Sequence, residues 1–292
     1  RQVPPELSHY RTIFISDSHL GLRGTRSDTL LAFLEENNAE TIYLVGDIID
    51  QWCKGRKWHW PTENDLILQN LVEKSINGTK IVYIPGNHDD SFRKWAGRTI
   101  QGVEIKREAT HITADGRKLW VIHGDEFDLF IRNHKWLCNL GHGTLQILMK
   151  FNKPVEWIRG LLGLKPWSLA TAARRAMQRN SKTFKNYVDT VTKETLYKSY
   201  DGVVCGHIHN PEFRIKNGVE YWNTGDWLES CTSICESMDG SMEIIQYEYS
   251  KTFSSLKTRT EMTNPKIISN KDLIISSLKS GEIHPQHIQV KT

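Results

Sequence analysis

Asp17, His19, Asp47, Asn87, His123, His207 and His209 each stand just after a short apolar run, and together they offer two carboxylates, one amide and four imidazoles. This donor set suits Mn²⁺, Fe²⁺ or Zn²⁺ better than Ca²⁺ or Mg²⁺ alone. Seven donors are too many for one catalytic ion. They suffice for two ions if one carboxylate bridges, and two ions about 4 Å apart can grip the attacking and leaving oxygens of a displacement at phosphorus. Asp47, the lone donor of its segment, is the natural bridge. Asp17 and His19 lie two residues apart, as do His207 and His209, so in extended backbone each pair would face one side as a local chelate. Within Gly86-Asn87-His88-Asp89 a neutral amide oxygen stands beside an imidazole, His88, that need not be a ligand.

Such donors need strands to deliver them. The apolar, β-branched runs at 11–15, 41–45, 80–84, 118–122, 202–205 and 219–222 read as strands, with further strands at 109–114, before the turn Asp115-Gly116, and at 242–249. Between them, 28–37 carries Leu30, Leu31, Phe33 and Leu34 at helical spacing, and 65–75 is a second amphipathic helix. Strand, helix, strand is the right-handed crossover of a parallel pair, and α/β proteins keep their chemistry where such strands end.

The chain has 292 residues, enough for one or two domains with a proper core, and its formal net charge of +4 is too small to argue for or against nucleic acid. Its five cysteines, Cys53, Cys138, Cys205, Cys231 and Cys235, are odd in number and lack paired spacing, which predicts free thiols in a reducing, cytoplasmic compartment. No apolar run nears the roughly 20 residues that span a bilayer. The chain starts at Arg1 without Met and shows no signal-like start, so a trimmed N-terminus stays open.

In order, Asp17-x-His19, Gly46-Asp47-x-x-Asp50, Gly86-Asn87-His88-Asp89, Val121-Ile122-His123-Gly124 and Gly206-His207-x-His209 resemble the five motifs of the calcineurin-like metallophosphoesterases, over roughly 11–250. The resemblance implies an α/β fold, a four-layer α-β-β-α sandwich of two sheets flanked by helices. It implies one ion on Asp17, His19, Asp47 and His209 and another on Asp47, Asn87, His123 and His207, with Mn²⁺ the first choice. Water held between the ions would attack phosphorus in line. His88, poised between a dication that disfavours its charged form and a phosphate that favours it, is then the catalytic candidate, protonating the leaving oxygen or stabilising charge on it. Asp50, Asp89 and Asp125 read as partners that fix a ligand imidazole or loop. Asp128 reads either so or as a contact to a substrate sugar. His59, His111, His134 and His142 fall outside the motifs and read as surface or internally satisfied residues.

The core alone says only "phosphate ester". Residues 1–250 form the expected phosphoesterase domain, 130–200 a helical cap inserted in it, and 251–292 a polar tail rich in Ser, Thr and Lys. In the cap, Val155, Ile158, Leu161, Leu162, Leu164 and Trp167 make a segment apolar on more than one side. Ser168 can cap a helix in which Met177, Phe184, Val188 and Val191 share a face amid Arg174, Arg175, Arg179, Lys182 and Lys185. One reading is a cap that packs its stripe on the core with a solvated basic face. Another is an apolar chamber beside the metals, with the basic residues on substrate phosphates or on an anionic membrane surface. Nucleic acid is a third partner class, which the apolar run 158–164 fits less well than acyl chains.

Within the superfamily the pattern most resembles the UDP-2,3-diacylglucosamine pyrophosphatases of lipid A synthesis. The likeness lies in Ser16-Asp17-Ser18-His19-Leu20-Gly21, in an insertion between the His-Gly-Asp and Gly-His-x-His motifs, and in Gly225-Asp226-Trp227. It implies hydrolysis of a lipid-linked nucleotide at the α-phosphate, giving UMP and diacylglucosamine 1-phosphate at the inner face of the cytoplasmic membrane. The alternatives are a nuclease or nucleotide phosphodiesterase on the same fold, or a metal-free scaffold, which would be expected to have lost donors. The familiar branch carries Arg after the metal-binding Asn, and this chain carries His88.

Overall fold

The computed structural model describes residues 8–52, 58–127 and 182–248. Asp128, Arg174, Arg175, Arg179, His134, His142, Cys53, Cys138, the apolar segment from 155 to 167 and the tail lie outside them.

Among the described residues the strands make two sheets. The first contains β1 (Ser8–Ile15), β2 (Asn37–Val45), β3 (Lys80–Ile84), β4 (Thr99–Ile100), β5 (Val103–Ile105), β11 (Thr232–Glu236) and β12 (Met242–Gln246), in the order β12-β11-β1-β2-β3-β5-β4. The second contains β6 (Ala109–Ile112), β7 (Lys118–Val121), β8 (Gly202–Cys205), β9 (Glu212–Lys216) and β10 (Val219–Asn223), in the order β6-β7-β8-β10-β9. Strands β1, β2 and β3 run parallel, as do β7, β8 and β10. Each trio therefore sends its C-terminal ends to one edge.

The core explains why these strands read as unbroken apolar runs. In a strand successive side chains face opposite ways, so a strand buried on both faces must be apolar at every position. Ile42 and Leu44 join the layer that also holds Leu30, Phe33 and Leu34 of α1 (Ser27–Glu36) and Ile67, Leu68 and Leu71 of α2 (Thr62–Ile76). Their neighbours Tyr43 and Val45 pack instead between the two sheets, with Phe14, Ile84, Val121, Val204 and Trp222. The second sheet repeats the division. Leu119 and Val121 face the inner layer, while Trp120, Val203 and Tyr221 meet Tyr187, Val188 and Val191 of a third helix, α3 (Lys182–Tyr197). Helix, sheet, sheet, helix is the four-layer sandwich. Val188 and Val191, assigned to one helical face from the sequence, thus pack on the outer face of the second sheet.

Four strands escape a reading by apolar runs. β4 and β5 are too short for a pattern. β9 is an edge strand that shows solvent alternate positions, although Asn217-Gly218, both at positive φ, is the tight-turn pair that joins it to β10. β11, Thr-Ser-Ile-Cys-Glu, is polar in type yet buried throughout. Glu236 at its end explains how that is tolerated: Oε1 accepts from Arg11 Nη1 at 2.7 Å and from the Ala114 N–H at 2.8 Å, and Oε2 lies 2.7 Å from His111 Nε2. Since Glu236 and Arg11 belong to the first sheet and His111 to the second, this carboxylate ties the sheets together. His111 is accordingly an internally satisfied residue, and His59 is exposed.

Burial works against the Glu236 carboxylate, but the His111 bond and the Ala114 N–H outweigh it and bring its pKa down to about 2. A depressed acid contributes stability above its unfolded pKa of about 4.3 and loses that contribution as pH falls toward the folded value. Glu236→Ala leaves His111 and Arg11 without their partner and is expected to cost about 3–5 kcal/mol at pH 7. Thermal unfolding of both proteins at pH 7 and near pH 3 checks this, the gap between them narrowing at the lower pH; an equal gap at both would show that the carboxylate charge contributes nothing.

Candidate metal centre

The donors leave the strands in sharp loops. Asp17 and His19 follow β1, Asp47 follows β2, Asn87 follows β3, His123 follows β7, and His207 and His209 follow β8. Asp17, His19, Asp47, His207 and His209 all have positive φ, between 45° and 70°. Only nine non-glycine residues among those described do so, and each such position costs about 1–3 kcal/mol, so backbone strain concentrates on these donors. The loops are held by one another: Asp17 N–H donates to Gly46 O at 3.0 Å, His19 N–H to Asp47 O at 2.9 Å and Leu20 N–H to Ile48 O at 2.8 Å. Glycine is needed where they cross. A Cβ on Gly86 would stand 2.3 Å from Asp47 Oδ1 and 2.6 Å from His123 Nε2.

One oxygen of each carboxylate is occupied by a neighbouring loop and the other faces inward. Asp17 Oδ2 accepts from the His207 N–H at 2.9 Å, and Asp47 Oδ1 from the His88 N–H at 2.8 Å. The imidazoles are divided in the same way. Nδ1 of His123 lies 2.9 Å from Val45 O, Nδ1 of His19 lies 3.2 Å from Asp50 Oδ2, and Nδ1 of His209 lies 3.1 Å from Asp226 Oδ2. With the hydrogen on Nδ1 in each ring, the Nε2 lone pairs converge on the inward carboxylate oxygens. His209 Nε2 is 3.3 Å from Asp17 Oδ1, His123 Nε2 is 3.4 Å from Asp47 Oδ2, and His19 Nε2 is 3.9 Å from both Asp17 Oδ1 and Asp47 Oδ2.

The donors form three overlapping groups, Asp17-His19-His209, His19-Asp47-His88 and Asp47-His123-His207, each with its ligand atoms within 4.8 Å of one another. Asp47 and His19 each belong to two groups. The two-apart pairs behave differently from expectation. Asp17 and His19 share a group, but His207 and His209 fall in different groups, and between these two the backbone folds back through Ile208 N–H to Gly206 O at 2.8 Å. Extended geometry, which would have put both rings on one side, is absent in both pairs.

A divalent ion fits this arrangement. Asp17 Oδ1, Asn87 Oδ1 and His123 Nε2 are buried and have no hydrogen-bond partner. With the hydrogens placed on Nδ1 all three are lone-pair atoms, the kind of donor that a divalent ion takes up together. The charges say the same. Burial opposes the imidazolium of His123, yet Asp47 and Asp17 outweigh it and raise its pKa to about 10; His19 rises to about 9 through Asp50, Asp47 and Asp17. Asp47 and Asp50 are held well below the usual carboxylate range, since the facing imidazoles overcome the penalty of burial. The cluster calls for cations, and protons take that role until a metal displaces them.

Around the donors stand supporting groups. Asp89 is raised to about 6 by burial and by Asp47, and its oxygens accept from the N–H groups of Gly86 and Ile48 at 2.5 and 2.8 Å, which locks two loops together. Asp125 pairs with Arg93 Nη2 at 2.6 Å, and Arg93 in turn donates to Pro85 O beside the Asn87 loop. Asp226, quoted in the sequence only as part of a shared tripeptide, orients His209 with Oδ2 while Oδ1 accepts from the N–H groups of Leu228, Glu229 and Ser230. Its place directly after a strand end was the available signal. Trp52 gave no signal at all: its indole stacks on His88, centroids 3.9 Å apart. His88 Nδ1 lies 3.1 Å from Asp50 Oδ2, the oxygen that also faces His19.

Residues 10–211 match the calcineurin-like phosphoesterase family. A protein of Psychromonas ingrahamii named UDP-2,3-diacylglucosamine hydrolase is 26% identical over 238 residues, 77% of this chain and 92% of that protein. One of the same name from Shewanella baltica is 25% identical over 254 residues, 82% and 99% of the two chains. Among solved structures, an archaeal phosphodiesterase aligns at 14% identity and a TM-score of 0.38, over 80% of this chain and 98% of its own. No helix among the described residues is long and apolar enough to cross a membrane. With the family matched along well over half its length, and relatives that are themselves named hydrolases, this chain belongs to the calcineurin-like phosphoesterases and is a phosphoester hydrolase.

Proposed function

We propose that the centre is dinuclear and that the enzyme cleaves UDP-2,3-diacylglucosamine, or a closely related lipid-linked nucleotide, to UMP and a diacylglucosamine 1-phosphate. The observation that carries this reading is the single carboxylate oxygen, Asp47 Oδ2, set 3.4 Å from His123 Nε2 and 3.9 Å from His19 Nε2, where two donor groups meet. Asp17, His19, Asp47 and His209 would hold one ion, and Asp47, Asn87, His123 and His207 the other. The mixed imidazole and carboxylate set favours Mn²⁺, with Fe²⁺ or Zn²⁺ as substitutes. Bound there, such ions supply Lewis acidity toward the phosphoryl oxygens and lower the pKa of water.

The chain's own residues do the rest. His209, with 18% of its side chain exposed, and His88, with 10%, mark the open side of an otherwise buried cluster, so the phosphoryl group approaches there. His88, gripped at Nδ1 by Asp50, holds a proton for the departing oxygen. Asp50 and Asp226 keep the His19 and His209 rings turned so that Nε2 faces inward. The lipid and nucleotide parts of the substrate are supported by the names and coverage of the relatives, and binding at an anionic membrane face follows from such a substrate.

Incubation with UDP-2,3-diacylglucosamine and Mn²⁺ should release UMP, and omission of metal after chelation should stop it. Absence of UMP, with turnover of simple phosphodiesters intact, would reject the substrate and keep the hydrolase.

A further inference from the structure

We propose that Trp52 is a positioning residue that fixes the orientation of His88, an assignment that rests on reading His88 as the proton donor. Three consecutive residues hold His88 from three sides. Asp50 Oδ2 takes its Nδ1 at 3.1 Å, the Gln51 N–H donates to its main-chain carbonyl at 3.0 Å, and the Trp52 indole lies against its ring, tilted 23° from parallel at a centroid distance of 3.9 Å. Gln51 is itself anchored, its Oε1 accepting from the Ser91 hydroxyl at 2.5 Å. The His19 ring also meets the His88 ring at close to a right angle, centroids 4.6 Å apart.

Each contact removes a different freedom. The Asp50 bond fixes where Nδ1 points but leaves the ring able to rock about that bond, since a carboxylate oxygen accepts over a broad range of angles. A flat indole stacked on the ring, with the His19 ring packed against it at a right angle, stops the rocking. A stacked ring also excludes water from that face without offering a hydrogen-bonding atom that would compete for the proton. Proton donation has a stringent reach of about 2.6–3.2 Å, and an ångström of misplacement costs on the order of 100-fold in rate. Trp52 is therefore placed to matter in proportion to how much the leaving oxygen needs a proton.

That dependence provides the test. Wild type, Trp52→Phe, Trp52→Ala and His88→Ala, all loaded with Mn²⁺, are compared on aryl phosphodiesters ranging from nitrophenyl to unsubstituted phenyl, with metal content measured on each protein. Trp52→Ala is expected to lower kcat by about 10- to 100-fold on the phenyl ester and by less than about threefold on the nitrophenyl ester. KM and metal content should stay near wild type, and Trp52→Phe, which keeps a flat ring, should restore most of the rate. A Trp52→Ala loss equal across the series, or one accompanied by metal loss, would overturn the positioning role and make Trp52 a structural or substrate-wall residue. If His88→Ala itself shows no leaving-group dependence, the proton-donor reading fails first and the Trp52 assignment falls with it. If His88→Ala shows the dependence and Trp52→Ala does not, only the Trp52 assignment fails. Should Trp52→Ala not fold, a Trp52→Leu protein that loads metal is held to the same comparison.

Discussion

Asp47→Asn is expected to lose at least one equivalent of bound metal and to reduce phosphodiester turnover by on the order of 10³-fold or more, the equivalent of roughly 4 kcal/mol of transition-state stabilisation. The substitution is nearly isosteric, so the loops should close as before: an asparagine amide can still offer a carbonyl oxygen to the His88 N–H, which Asp47 Oδ1 accepts at 2.8 Å. What it removes is the charged oxygen shared between the His19 and His123 sides. A second consequence concerns protons. Metal-free, His123 and His19 are raised to about 10 and 9 against burial, the largest single effect on each, with Asp47 the strongest raising partner at His123 and Asp50 ahead of it at His19. Below those values the rings bind protons that an incoming ion must expel, so Mn²⁺ affinity should rise with pH and loading near pH 7 should acidify a weakly buffered solution. In Asp47→Asn the proton release should shrink. Metal analysis and proton-release titration on the two proteins decide the matter; full metal content in the variant would show that Asp47 does not bridge.

Both the placement of these donors and the limits of placing them from sequence have physical causes. Ile42 to Val45 could be read as a strand because both its faces are buried and every position must be apolar, and the same holds for Ile81 to Ile84. β11 was not legible for the converse reason: the burial of Glu236 is tolerated because Arg11, Ala114 and His111 converge on its carboxylate from elsewhere in the chain. Local spacing gave the wrong geometry for His207 and His209, since it assumes extended backbone and both adopt left-handed φ. The His207 N–H is also held by Asp17, a contact 190 residues apart in sequence that local spacing does not show. Trp52 and Asp226 illustrate the same limit. Neither stands among the seven candidate donors, and the ring each one supports, His88 or His209, is known only once the fold brings them together.

His88→Ala should lower kcat by about 10²- to 10⁴-fold while leaving metal content unchanged, the usual range for loss of a general acid. The geometry makes this a clean substitution. Asp47 Oδ1 is held by the main-chain N–H of residue 88, which alanine retains, so the Asp47 carboxylate keeps its support. The competing possibility is concrete, because a ring nitrogen of His88 shares a group with His19 and Asp47. If His88 were a ligand, metal and turnover would fall together in the variant. Asp50→Asn is a poorer probe of the same question: Asp50 Oδ2 faces both His88 at 3.1 Å and His19 at 3.2 Å, so its loss disturbs the His19 ring, itself a candidate ligand, as well as the proposed donor. His88→Asn adds the remaining discrimination, since its amide can donate to Asp50 but has no proton to give up near neutral pH. Turnover that stays low in His88→Asn, with metal bound and KM little changed, requires a proton that moves rather than a hydrogen bond that merely orients. Recovery in His88→Asn would instead assign the residue to holding charge on the leaving oxygen.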